Sequence, residues 1–304
     1  TGSRTACASA PATGRPTPAP DAAYPRQVGI DAGHIGRVTV AGLDLRVLDT
    51  GVPPDADEAA PVLLVIPGHT ARIEGFEDMV PHLVPHARVV LPDLPGCGGS
   101  AKPDRRYDLA FYEDVLLGLL DHLGVERAIP VGGSLGGNLV LRLGHRAPER
   151  FERLILWAPG GAWTAKPRLA ALMRRVGGRT LFWPTVKVQS RYWYAPDFPG
   201  RRQALDDTFA YYRSVLGPGF VAMYWGIAAD QIGHSLFDIA PEIAQPTLLM
   251  WGDQDDGGGM RAGVARLHEL LPDHEFVVFP GARHSLEAEI PAELAAEVVR
   301  FATA

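Results

Sequence analysis

Val131-Gly132-Gly133-Ser134-Leu135-Gly136-Gly137 closes a short apolar run, 128–131, and opens a segment with helical periodicity, 134–145. Strand, tight turn and helix in that succession give Gly-x-Ser-x-Gly its meaning: the glycines leave room for a sharp reversal, and the serine is lifted to its apex. The N-terminus of the helix behind it favours developing negative charge. The same residues also suit an ordinary glycine-rich turn whose serine merely caps a helix. A serine hydroxyl is a weak nucleophile at neutral pH, so the two readings divide on whether a base and an orienting carboxylate exist elsewhere.

Outward from this turn the chain alternates short apolar runs with helical patterns. Val62–Ile66 is a continuous apolar run of the kind that is buried on both faces of a sheet. Further runs lie at 88–91, 128–131 and 154–157, and then, after a long interval, at 247–251 and 275–279. Helical patterns fall at 107–123, 134–145, 260–271 and 291–301. This order predicts crossover connections and an α/β fold: a mostly parallel central sheet flanked by helices. Ahead of it, 37–40 and 43–49 alternate apolar and polar residues around Ala41-Gly42, as a hairpin does, and 52–61 reads as a surface loop.

The interval 160–240 breaks the rhythm. It holds four of the six tryptophans and five of the eight tyrosines, with ten Lys/Arg against five Asp in an otherwise acidic chain. That shift predicts an inserted helical cap over 160–240, splitting the core into 31–159 and 241–304. Residues 1–30, rich in Ala, Pro, Thr, Gly and Ser without hydrophobic period, are expected to be a disordered tail.

Two polar turns follow the late strands. Gly252-Asp253-Gln254-Asp255-Asp256 comes after 247–251, and Pro280-Gly281-Ala282-Arg283-His284 after 275–279. Both stand past the C-terminal ends of expected parallel strands, where an open α/β sheet places its sites. The order is serine, carboxylate, histidine, with Asp253, Asp255 and Asp256 all open as the carboxylate. The other nine histidines lack this strand-end context.

With these motifs the chain resembles α/β-hydrolase fold proteins from about residue 38 to residue 302. The resemblance implies a Ser134, Asp255, His284 triad, Asp255 being the acid of a Gly-x-x-Asp turn and His284 standing at the late Gly-x-x-His position. It also implies an oxyanion hole from the backbone N–H of Leu135 and of His69, in Pro67-Gly68-His69 where the family's first histidine is replaced by proline. Asp93-Leu94-Pro95-Gly96-Cys97-Gly98-Gly99-Ser100 resembles a structural loop of the family and is expected near the site entrance, with Cys97 a spectator. Dehalogenases and epoxide hydrolases of this fold carry aspartate at the nucleophile position, so Ser134 points away from both.

Leu154-Ile155-Leu156-Trp157-Ala158-Pro159-Gly160-Gly161 is similar to serine hydrolases that cleave C–C bonds in ring-fission products. Those relatives carry asparagine before the nucleophile and tryptophan after the histidine, where this chain has Gly133 and Ser285. The expectation is therefore a carboxylic ester hydrolase acting through an acyl-enzyme on a small, largely apolar substrate. C–C hydrolysis of a ring-fission diketone, a non-catalytic ligand receptor and perhydrolysis are the alternatives. Trp163, Trp193, Tyr194 and Tyr212 are the expected substrate-lining aromatics, and the basic cap raises the question of an anionic substrate.

Composition bounds the rest. The chain has 304 residues, 46% hydrophobic and 21% charged, with net charge −6 and no dense basic run, so nucleic acid is not an expected partner. Three lysines among 29 basic residues, beside high Ala, Gly and Pro, read as compositional bias. No stretch reaches the roughly 18 apolar residues of a membrane span. Two cysteines, Cys7 and Cys97, suggest neither a metal site nor disulfides, and the chemistry calls for no metal or organic cofactor. The expected partner is a small molecule, with homo-oligomerisation open. A cytoplasmic location is expected; Thr1 and the Ala8-Ser9-Ala10 triplet keep a cleaved leader and secretion open.

Overall fold

The computed structural model describes residues 31–53 and 60–304. The expected tail over 1–30, and most of the expected loop over 52–61, lie outside the described residues. Eight strands form one sheet: β1 (Ile35–Val40), β2 (Leu43–Asp49), β3 (Val62–Ile66), β4 (Arg88–Pro92), β5 (Ile129–Gly133), β6 (Leu154–Trp157), β7 (Thr247–Gly252) and β8 (His274–Phe279). Their order across the sheet is β1-β2-β4-β3-β5-β6-β7-β8. The β1–β2 hairpin and the β2–β4 pair are antiparallel, and every later pairing is parallel.

The central strands are apolar because helices cover both faces. Leu63 to Ile66 of β3 and every residue of β5, β6 and β7 are buried, whereas β8 at the edge has only half-buried and exposed positions. The helices are α1 (Val80–Leu83), α2 (Leu109–His122), α3 (Leu135–Arg146), α4 (Pro167–Val176), α5 (Arg179–Gln189), α6 (Arg201–Val215), α7 (Pro218–Gly233), α8 (Met260–Leu270), α9 (Leu286–Glu289) and α10 (Pro291–Ala302). Since β3, β5, β6, β7 and β8 run parallel, the loops leaving their C-terminal ends share one edge of the sheet. His69, Ser134, Gly160, Asp255 and His284 all stand on those loops.

Two boundaries differ from the sequence pattern. The helix expected from 107 begins at Leu109, because the Asp108 side chain accepts from the Phe111 N–H at 3.0 Å and caps it. β5 is shifted toward the serine: Ala128 only bridges Phe151, while Gly132 and Gly133 pair with Leu156 and Trp157.

The residues between β6 and β7 contribute α4 to α7 and no strand among the described residues. Their aromatic content packs chiefly on Phe182, whose ring meets Trp183, Tyr212, Phe220 and Tyr224 edge-on at centroid separations of 4.9–5.6 Å. Arg174 of α4 pairs with Asp230 of α7, whose other oxygen accepts from the Leu109 N–H at the start of α2.

Candidate active site

Ser134 joins β5 to α3 with φ 55° and ψ −115°, a left-handed conformation that costs a non-glycine residue about 1–3 kcal/mol and persists only where its surroundings enforce it. The enforcement is visible. The Ser134 N–H donates to Trp157 O (3.1 Å), and its carbonyl accepts from Gly160 N (2.8 Å) and Asn138 N (3.0 Å). A Cβ at position 136 would stand 2.0 Å from Ile66 O, and one at 132 would stand 2.7 Å from Gly136 C, so the flanking glycines are required by close approach of backbone to backbone.

Asp255 and His284 reach the same edge from β7 and β8. Gln254 N donates to Ala282 O (2.9 Å), tying the two loops together. The His284 Nδ1 lies 2.7 Å from Oδ2 of Asp255, a carboxylate that is 1% exposed. The competing acids point elsewhere: Asp253 accepts from Gly281 N (2.8 Å), and Asp256 from Arg283 (3.1 Å). Burial opposes charging the imidazole, but the field and hydrogen bond of Asp255, with the charges of Glu287 and Glu289, outweigh it and raise the His284 pKa.

Ser134, Asp255 and His284 line one cavity of about 1110 Å³, together with Gly68, His69, Trp163, Trp193, Tyr194 and Tyr212. A Cβ on Gly68 would lie 3.6 Å from Ser134 Cβ, which puts the loop after β3 directly beside the serine. The His69 ring stacks on Tyr224 at 4.9 Å. Burial holds its pKa down to about 4 despite an opposing hydrogen bond to the Tyr224 backbone, so the imidazole is neutral. Leu135 packs its side chain into the core away from the cavity, and its amide opens α3, where first-turn N–H groups have no intrahelical acceptor. Tyr212 shares a 2.5 Å hydrogen bond with Thr70, and Trp163 donates to Gln231 O at 3.1 Å.

The charge of the cavity wall differs from that of the segment above it. Among the described residues one arginine, Arg72, lines the cavity with Glu74, Glu77, Asp78, Asp207, Asp255 and Glu287. Arg72 is itself engaged, pairing with Glu74 at 3.2 Å and lying 4.3 Å over the Tyr211 ring. None of the basic residues noted in 160–240 lines the cavity: most are exposed, and Arg174 is turned to Asp230.

The loop after β4 stands behind the cavity wall. None of residues 92–100 lines the cavity, and all are buried. Asp93, fully buried, accepts from Ile73 N (2.8 Å) and Gly99 N (2.7 Å) and pairs with Arg46 (3.2 Å), while Tyr211 covers Gly98 through a 2.6 Å bond from its N–H. The loop is drawn inward by these bonds. Burial, reinforced by Asp93, pushes the Cys97 thiol up to about 12, so it holds its proton.

Two further residues belong to the cavity: Trp157, which the sequence presents only as a strand residue, and Glu287, which no motif marks. The Trp157 indole donates to Glu287 Oε2 at 2.9 Å, and both line the cavity. A Cβ at position 133 would lie 2.1 Å from Trp157 Nε1: the indole occupies the space that an asparagine before the nucleophile would need. Burial raises the Glu287 pKa, against the Trp157 hydrogen bond and the nearby His284. The available signal is proximity along the chain, since Glu287 stands on α9 directly after His284.

A family model described as alpha/beta hydrolase fold matches residues 61–287. The chain is 28% identical over 281 residues to a 2-hydroxy-6-oxo-2,4-heptadienoate hydrolase of Pseudomonas putida, covering 84% of this chain and 92% of the relative. It is 27% identical over 273 residues to the dihydrolipoyllysine-residue acetyltransferase component of an acetoin cleaving system, also from Pseudomonas putida, covering 87% and 68%. Its structure is similar to that of an enol-lactonase from Burkholderia xenovorans LB400, with TM-score 0.73 and 24% identity over 88% of this chain and all of the other.

Proposed function

Because the chain belongs to the alpha/beta hydrolase fold family, we propose that it is a serine hydrolase that cleaves a carboxylic ester of a small, largely apolar substrate through an acyl-enzyme. The observation that carries this reading is the 2.7 Å contact of His284 with buried Asp255, in a cavity shared with a serine held at positive φ. His284 takes the Ser134 proton through its free Nε2 as Oγ attacks the carbonyl carbon. The amides of His69 and Leu135 hold the oxyanion. His284 then protonates the leaving alcohol, and a water deprotonated by the same nitrogen attacks the acyl carbon and frees Ser134 with the acid product. Asp255 keeps the Nδ1 proton in place and stabilises the imidazolium. The segment 160–240, with helices α4–α7, acts as a cap: Trp163 ahead of α4, Trp193 and Tyr194 between α5 and α6, and Tyr212 on α6 contribute to an apolar wall.

Relatives that hydrolyse 2-hydroxy-6-oxo dienoates favour a second reading, hydrolysis of a C–C bond in such a carboxylated diketone. Two features weigh against it. The wall that would receive the carboxylate has a single, engaged arginine, and Trp157 excludes an asparagine at 133. The test is turnover of chromogenic short-chain esters beside a dienoate ring-fission product. Wild type is expected to release alcohol in a burst, and Ser134→Ala to lose about four orders of magnitude or more while keeping its circular dichroism spectrum. A serine-directed phosphonate should label wild type alone. Ester turnover undiminished in Ser134→Ala would refute the mechanism, and absence of any burst or label in wild type would favour a ligand receptor.

A further inference from the structure

Residues 166–191 contain seven lysines and arginines and no acidic residue, in a protein of net charge −6. The segment builds α4 and α5, and both helices present apolar side chains to water. On α4 these are Leu169, Leu172 and Val176, spaced i, i+3 and i+7 on one face; on α5 they are Leu181 and Val188, two turns apart. All five are 41–55% exposed. The opposite side of α4 is already satisfied, with Ala170 buried and Arg174 paired to Asp230.

Cations border the apolar face. Lys166, Arg168, Arg175, Arg179, Lys187 and Arg191 are exposed, and none forms an ion pair among the described residues. The face is continuous with the active site, since exposed Val188 and Tyr192 also line the catalytic cavity. No helix among the described residues is long and apolar enough to cross a membrane.

A partner for this face has to meet both features. A polyphosphate chain would satisfy the cations and leave the leucines in water. A soluble anionic substrate would need the cations inside the cavity, where the wall is acidic. An amphipathic face with apolar side chains inside a basic border fits the headgroup boundary of an anionic bilayer, which takes up the leucines and neutralises the arginines together. We propose that the α4–α5 face docks on the surface of an anionic lipid bilayer, turning the cavity mouth at Val188 and Tyr192 toward it.

Docking is separate from the ester chemistry, and its test can fail alone. The full chain is sedimented with phosphatidylcholine vesicles with and without phosphatidylserine. It should partition onto the anionic vesicles only, and high salt should release it. Arg168→Gln/Arg175→Gln should weaken partitioning by about twentyfold to thirtyfold, about fivefold per cation. Leu169→Ser/Leu172→Ser should weaken it at least as far, and both double variants should hydrolyse a short water-soluble ester at the wild-type rate. Ser134→Ala should bind vesicles as wild type does. No binding to anionic vesicles, equal binding to neutral ones, or binding unchanged in both double variants would overturn the proposal. So would a dimer in solution that Leu169→Ser/Leu172→Ser dissociates, since the face would then serve a second copy of this chain.

Discussion

In the proposed mechanism His284 is the general base, and the pH range of activity follows from the charges around it. Asp255 touches its Nδ1 from the loop after β7; Glu287 and Glu289 act from α9, which follows the histidine directly; Arg283 precedes it but is turned to Asp256. Tyr194, from the segment before α6, faces Glu287 and is pushed up to about 12, first by burial and then by that carboxylate, so it stays neutral. General-base catalysis requires the neutral imidazole, and each carboxylate favours the charged one, so activity rises as pH climbs through the raised His284 pKa. Removing one carboxylate lets the neutral form persist to lower pH. Glu287→Gln should therefore move the acidic limb of kcat/KM downward by up to about 1 unit, the low end of what a nearby charge does, while retaining most of the plateau rate. An unmoved limb would mean that Glu287 matters only through its bond to Trp157.

Among the elements, the loop after β4 shows how a motif near a site differs from a motif in it. Asp93 has no exposed surface and binds Arg46, Ile73 N and Gly99 N; Arg46 continues to Glu74 at 2.8 Å, and Glu74 to Arg72 on the cavity wall. Asp93→Asn keeps the shape and removes the charge opposite a buried guanidinium. It should cost about 3 kcal/mol in urea unfolding, near the lower bound for breaking a buried pair. A loss below about 1 kcal/mol would place the pair among those that behave as exposed ones do. This loop also marks what was legible in advance. Runs such as Val62–Ile66 and Leu154–Trp157 announce buried strands because their apolar character is local, and the turn at Ser134 carries its glycines beside it. The choice among Asp253, Asp255 and Asp256 depends on how two loops meet, and Gln254 N on Ala282 O is a tertiary bond. The Trp157–Glu287 pair spans 130 positions, and the inward pull on the Asp93 loop comes from β2; no periodicity encodes either.

At the scale of the whole molecule, charge is sorted by depth. Cations crowd the outer face of α4 and α5, while the cavity is walled by carboxylates with one engaged arginine. A neutral ester should therefore exceed an isosteric half-ester carrying a free carboxylate by about tenfold in kcat/KM at low ionic strength, and added salt should narrow the ratio. A preference for the anionic ester would assign the wall's carboxylates to other duties. The sheet order has a further consequence, in time. β7 and β8, which deliver Asp255 and His284, are the last strands in the chain and lie beyond α4–α7, yet they join a sheet centred on β3 and β5. At about 5–20 residues per second, the ribosome makes His284 roughly eight to thirty seconds after Ser134. Throughout that interval the nascent chain carries the proposed nucleophile without the proposed base, so the order of synthesis itself delays completion of the site.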